Sequence, residues 1–530
     1  MKKKGLIVVV FFGGIMVTSG FGLSSMMSPP PEYDPDFTIT GTPADNFPDV
    51  QRAQFCGSGN AKSTDFVQEF SIPTPCTNPL AIVTDYDGNV WFAQTNTGKL
   101  AKFDPSTERF TEYDNPLWPP GERSMMWGID YAPDDSVWFT DERFDSIWKF
   151  STIDEKYERL AYPSDGNSLP QRLQIDGSQI IINDFTGNKL TFLDLSQSAN
   201  ELYSIPSPFE NSVTADFALD ANDNIWFTNW LFQQGGFLVK FNQNGYLDSV
   251  SPDDPFRPVI DFTEFYRLPP ELLTPNGATV TDDGTIWLAD TTSSFFFNFD
   301  PFTEQFTQYV TAEPQLSTYG NQTGIIKSPI SRPYWIESDD QGRLVFNEQT
   351  ANNISIMDPK SQSLIEYHIP SKNPYWGDCD PGTGVMLPNC GISQIFDFTI
   401  DGEKIWFTEW VENNIGVVDT SVPLPFEIQL ESDSLTLAPG DTQHFNFIVS
   451  PKSQKDMLNV SLILSTTHGF LDVDLVNDTP KIFQLDSDVP LPIHITISAS
   501  NDAIPGTYKI LLGVQSPDIA ISKFVTVTIV

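Results

Sequence analysis

Apolar residues along this chain either alternate with polar ones or gather in short runs, and Gly, Pro, Asp and Asn punctuate them. Helical spacing of apolar positions does not recur, so the pattern predicts an all-β protein. From about residue 66 a unit repeats, with cores YDGNVWFAQT, PDDSVWFTDE, DGSQIIINDF, ANDNIWFTNW, DDGTIWLADT, DQGRLVFNEQ and DGEKIWFTEW. Its leading apolar position is filled by Trp91, Trp138, Ile181, Trp226, Trp287, Val345 and Trp406, at intervals of 47, 43, 45, 61, 58 and 61 residues. Seven copies at that period indicate a repeat architecture, the longer intervals lying in loops. The first unit shows four apolar runs, AIVTD, NVWFAQ, KLAKFDP and RFTEYDNP, with a D-G turn between the first two. Four strands per repeat, arranged radially, predict a seven-bladed β-propeller.

A ring must close, or its end blades expose strand edges. The last repeat has only three strands before Asp419-Thr420, and an orphan run, Phe66 to Ile72, precedes the first repeat. Residues 66–72 are therefore expected to complete blade seven. After about Phe426 the chain contains no Trp and its runs alternate strictly, as in SLTLAPGDTQHFNFIVSP and GTYKILLGVQS. Seven or eight such strands read as an immunoglobulin-like β-sandwich without the Cys pair of antibody domains.

The expected organisation has four parts. Residues 1–23 carry Lys2 to Lys4 ahead of an apolar stretch, which makes them either a cleaved signal or an N-terminal membrane anchor. Residues 24–60 are a Pro/Ser/Asp-rich linker, 61–425 the propeller and 426–530 the sandwich. On either reading of residues 1–23, the rest of the chain is extracytoplasmic. Four cysteines fit an oxidising compartment, with Cys56–Cys76 and Cys379–Cys390 as the expected disulfides. Metal binding is the rival reading, without C-x-x-C spacing or a nearby His to support it. Asn321, Asn353, Asn459 and Asn477 lie in N-x-[ST] sequons and are glycosylation candidates.

Charge narrows the partners. Seventy Asp+Glu against 29 Lys+Arg give a net charge of −41, which excludes nucleic acid and leaves the membrane as partner only through the N-terminal segment. A small extracellular molecule, a glycan or a surface protein remains.

The WFTE-type cores after a D-G turn, followed by NNIGVVD and a fourth strand ending in Pro, resemble the streptogramin lyase (virginiamycin B lyase) family, most clearly at KIWFTEWVENNIGVVD (404–419). The resemblance covers residues 66–420. It implies a seven-bladed propeller related in shape to NHL and SMP-30 proteins, and a metal-assisted elimination with a His in a P-H-G-I-type stretch as acid/base. Here the matching stretches read Met126-Trp127-Gly128-Ile129 and Pro275-Asn276-Gly277-Ala278, without His. Of the four His residues, His444, His468 and His494 fall in the sandwich and His368 on an outermost strand.

Three residues after each leading position stand Gln94, Asp141, Asp184, Asn229, Asp290, Glu348 and Glu409, all with oxygen-bearing side chains. If Asp141, Asp184, Asp290, Glu348 and Glu409 converge on the channel, they suit Ca²⁺ or Mg²⁺. Alternatively, each caps its own blade's turn. The segments before each first strand supply Trp127, Arg172, Asp216, Asn276, Tyr334, Trp335 and Asp397. Of these, Trp127, Arg172, Asn276, Tyr334 and Trp335 are ligand-binding candidates, with aromatic packing between blades as the alternative. Arg172 is the most informative, since an acidic rim would pair with it. Two functions stay open: a cell-surface binding or scaffold module, or a metal-dependent lyase or hydrolase of an extracellular ester, lactone or glycan. The missing His favours the first.

Overall fold

The structure, a computed structural model, describes residues 57 and 61–530 apart from 165, 197–200, 232–233, 250–256, 315–329, 374–389, 454–455, 477–479 and 488. The expected N-terminal segment lies outside the described residues, among which no helix is long and apolar enough to cross a membrane.

Seven four-stranded antiparallel blades follow one another at residues 79–113, 129–161, 170–206, 213–267, 275–310, 333–368 and 395–419. The seventh takes its outermost strand from Val67–Ser71, in the register Val67↔Val418 to Ser71↔Asn414, so the ring closes as expected. Turn chemistry sets up the repeats. In blade 1 Asp85 Oδ1 accepts the N–H groups of Asp87 and Asn89, while its Oδ2 accepts the Trp91 indole N–H at 2.9 Å. Blade 4 repeats this with Asp220 and Trp226. One carboxylate thus shapes the hairpin and locks the indole that the blade buries.

The innermost strands position the site. Six of the seven carry a register irregularity at their start, for example between Pro170 and Leu173, Thr214 and Phe217, and Ile395 and Phe398. A bulge re-aims the residues it contains. Here those residues include Arg172, Asp216, Asn276, Trp335 and Asp397. The second strand of each of several blades then staples its neighbour: Thr228 Oγ1 donates to Pro275 O (2.7 Å), Thr408 Oγ1 to Leu80 O (2.8 Å), and Asn347 Nδ2 to Ile395 O (2.9 Å). Gly128 and Gly277 let adjacent blades approach, since a Cβ would lie 2.6 Å from Gln171 O and 2.2 Å from Tyr334 O respectively.

The C-terminal region is a two-sheet sandwich. One sheet pairs Phe426–Leu430, Thr442–Pro451, Leu491–Ala499 and Leu471–Leu475. The other is built on Met457–Thr466, Gly506–Gln515 and Ile519–Ile529, with Ser434–Leu437 and Ile482–Leu485 beside them. Among the described residues nine strands stand where seven or eight were expected. The sandwich is also less separate than its composition suggests. The first half of Ile519–Ile529 pairs with the outermost strand of blade 6, from Ser363↔Lys523 to Tyr367↔Ile519, and the two regions share one nine-stranded sheet. An edge that would otherwise expose its backbone is covered. Phe524 packs against Phe296 and Tyr309 of blade 5, and Lys509 Nζ donates to Gln362 Oε1 at 2.7 Å.

Among the described residues no cysteine is free: Cys76 and Cys390 are buried and disulfide-bonded, whereas Cys56 and Cys379 lie outside those residues. Asn321 and Asn477 also lie outside. Asn353 is a correction, because its side chain is buried at 3% exposure between strands and cannot serve as an acceptor in the folded protein. Asn459 is exposed.

Candidate functional site

The expected ring of metal ligands does not form. Asp141, Asp184, Asp290, Glu348 and Glu409 are all buried, but each turns back on its own blade instead of reaching the axis. Asp141 Oδ1 accepts Ser124 Oγ and the N–H groups of Arg143 and Phe144, and its Oδ2 accepts the Trp148 indole. Asp184 accepts Leu169 N and Gly187 N, and Asp290 gathers donors from Thr274, Thr292 and Ser293. Glu348 accepts Ser355 Oγ, and Glu409 accepts Asn414 Nδ2. For the three aspartates the physical reason is the turn that follows the second strand, whose N–H groups need acceptors, whereas Glu348 and Glu409 meet side-chain donors of the third strand. Among the described residues no group of three or more His, Cys, Asp or Glu is arranged to hold a metal ion.

The axis holds different acids. The innermost strands enclose a cavity of about 360 Å³ to which Asp130, Arg172, Gln174, Asp216, Thr279, Glu337 and Thr399 contribute polar groups. Arg172 is its centre. The guanidinium pairs with Glu337, lies 3.3 Å from Asp397 Oδ1 and 3.9 Å from Asp216 Oδ1, and covers the Trp335 ring at 5.3 Å. Its three acidic partners come from three different blades. Each aspartate also holds a neighbouring strand: Asp216 Oδ2 accepts Ala278 N, Asp397 Oδ2 accepts Ile82 N, and Asp130 Oδ2 accepts Ile175 N.

One cation among the three lining carboxyl groups of Asp130, Asp216 and Glu337, with Asp397 bound to the same guanidinium, leaves the cavity acidic. Burial pushes Asp216 and Asp397 up to about 7, against the pull of Arg172, and Asp130 up to about 6. Burial opposes charge on Arg172 too, but Glu337, Asp216 and Asp397 outweigh it and keep the guanidinium protonated. Carboxyl groups that exchange protons near neutrality, in a cavity open to solvent, can bind a cationic group or carry a proton.

The remaining candidates divide. Arg172 lines the cavity and covers the ring of Trp335, which is itself buried outside the lining. Tyr334 is fully buried, with its hydroxyl accepting from Gln171 Nε2 at 3.3 Å. Trp127 packs edge-on against Phe396 and donates to Glu142 Oε2, and Asn276 Nδ2 donates to Thr291 Oγ1. None of these last three lines the cavity. His368 stands on the outermost strand of blade 6, beside Asn353, and burial holds it down to about 3. Asp130 and Glu337 were missed. Glu337 was within reach, since it shares a strand face with Trp335 two residues earlier.

Residues 58–296 match the virginiamycin B lyase family. This propeller resembles the virginiamycin B lyases. A solved structure of a catalytically inactive His-to-Ala virginiamycin B lyase from Staphylococcus aureus with quinupristin is 18% identical, covers 68% of this chain and 99% of that chain, and gives a TM-score of 0.50. A streptogramin B lyase structure is 20% identical over 66% of this chain and 96% of that chain, with a TM-score of 0.48. No curated protein matches. At such identity the likeness to virginiamycin B lyase is one of fold. The glycine of the family-like stretches has a packing reason here, because Gly128 and Gly277 are where neighbouring blades touch.

Proposed function

We propose that this protein is an extracytoplasmic binding module on a lyase-type propeller, held at the outer face of the membrane by its N-terminal segment, and that its axial cavity takes a small extracellular molecule without cleaving it. The observation that carries the reading is Arg172: the protein's own guanidinium stands among the axial carboxylates, where a catalytic cation would otherwise be needed. The family-like stretches offer Trp127 and Asn276 in place of an acid/base His, and both are occupied in packing and hydrogen bonding. The acidic lining selects for ligands bearing an amine or guanidine.

A second reading, a lyase or hydrolase of an ester, lactone or glycan, draws on Asp216 and Asp397, whose proton affinity near pH 7 suits acid/base work. The test is equilibrium dialysis of the full chain against amines, lactones (quinupristin included) and glycan fragments, with mass spectrometry of both compartments. Retention of an unaltered amine or guanidine compound, weakened in Glu337→Gln, is the expected result. A ring-opened or hydrolysed product that accumulates with wild type and not with Asp216→Asn would overturn it.

A further inference from the structure

Three blades carry the same side-chain pair at the same register. In blade 1 Gln94 ends the second strand and Glu112 lies on the fourth, with the small residue Ala101 between them on the third. Blade 6 places Glu348, Ser355 and Glu366 at these positions, and blade 7 places Glu409, Gly416 and Glu69. In blade 1 the contact is ordinary: Gln94 Nε2 donates to Glu112 Oε1 at 2.7 Å. In blades 6 and 7 two carboxyl groups meet, and neither has an N–H to give.

Their surroundings leave one solution. Glu348 and Glu366 are both fully buried. Glu348 Oε1 accepts Ser355 Oγ and Glu366 Oε1 accepts Ala312 N, while Oε2 of each has no other partner. The Ser331 and Thr311 hydroxyls face Glu348, and among the described residues the charge that acts on Glu366 is that of Glu348. In blade 7 Glu69 accepts Lys62 N, Ser371 N and Ser371 Oγ, Glu409 Oε2 accepts Asn414 Nδ2, and Glu409 Oε1 has no other partner. Glu412 adds a further negative charge there, and the Lys62 ammonium is turned away to Pro370 O. Two buried carboxylates in contact cannot both stay ionised.

We infer that blades 6 and 7 each hold a structural proton, one on the Glu348–Glu366 pair and one on Glu409 where it meets Glu69, and that losing it at alkaline pH loosens two junctions. Glu69 lies on the strand that closes the ring, and Glu366 on the strand that seats the sandwich. Burial, then the neighbouring carboxylate, raises Glu366 and Glu409 well above their ordinary range. A group raised in the folded state stabilises fully below its unfolded value, here 4.5, and loses that contribution as pH climbs through the folded value. The junctions are therefore tightest in mild acid.

Glu348→Gln and Glu409→Gln recreate the blade 1 pair and supply the hydrogen without a titration. Melting of the full chain between pH 5 and pH 9 is expected to fall less in each variant than in wild type, by about 2–4 °C per pair. In infrared spectra at pH 7 the double variant is expected to lose carbonyl intensity from protonated carboxyl groups, and at pH 9 protease should trim the closing strand from wild type sooner than from Glu409→Gln. Parallel melting profiles across the pH range, or unchanged protonated-carboxyl intensity in the double variant, would overturn the inference even if one variant proves unstable.

Discussion

Two sets of buried acids occupy this propeller, and they do different work. The set at the ends of the second strands recurs in blade after blade, and most of it is satisfied by donors of the same blade, as Asp290 is by Thr274, Thr292 and Ser293. The axial set also occupies repeated positions, but with residue types that change from blade to blade: Asp216 and Asp397 share the innermost-strand bulge with Arg172 and Trp335, Asp130 and Glu337 lie opposite the leading position, and the four acids converge on Arg172. A position whose residue type repeats records how a blade is built, and a position whose residue type changes from blade to blade records what the ring encloses. Oxygen-bearing residues at every copy pointed toward chemistry, yet the regularity itself was the mark of architecture.

The largest test removes the centre. Arg172→Met leaves buried carboxylates without their counter-charge and should cost about 3–5 kcal/mol at pH 8. The loss should shrink toward pH 5, because the acids then take up protons. Urea unfolding at both pH values checks this, and equal losses would mean that Arg172 acts by packing alone. Next, Asp290→Ala strips several buried donors of their acceptor and should cost about 2–3 kcal/mol with no change in ligand retention. Reduced retention at unchanged fold would merge the two sets.

Gly277→Ala should cost about 1–3 kcal/mol in thermal melts, since a Cβ there meets Tyr334 O at 2.2 Å. Asp216→Asn sharpens the pH side. Asp216 is raised from 3.8 to about 7, so its stabilisation is complete below pH 4 and fades as pH rises through 7. The variant's stability should decline less than wild type between those limits. The smallest effect belongs to Thr228→Val, which loses one inter-blade hydrogen bond to Pro275 O and about 1 kcal/mol.

Much of the fold was legible because it is local and repeated. The D-G turn, the buried indole and the four short runs recur with fixed offsets, and the orphan Phe66–Ile72 run had to go to the one blade short of a strand. The sandwich seat was not legible. Pairing Ser363–Tyr367 with Ile519–Lys523 joins segments distant in the chain, and both runs read equally well as solvent-side edges. At the site, Arg172 stood out because cations are scarce. Asp130 did not, since a lone Asp in a strand of a chain this acidic carries no mark. The Thr of WFT was quoted as a motif, but its bond across blades needed the ring to be seen.

The closing strand sets how this molecule bears force. Tension on the chain ahead of residue 61 reaches the ring through Ser63, bridged to Gln68, and through Val67–Ser71, five residues paired antiparallel to Asn414–Val418. A pull along that strand loads its hydrogen bonds together in shear, while a pull outward peels them one at a time. The Ser371 backbone and hydroxyl that bind Glu69 act as a brace on the same strand. The ring's clasp is thus also its mechanical fuse, and the direction of a pull on it decides when it opens.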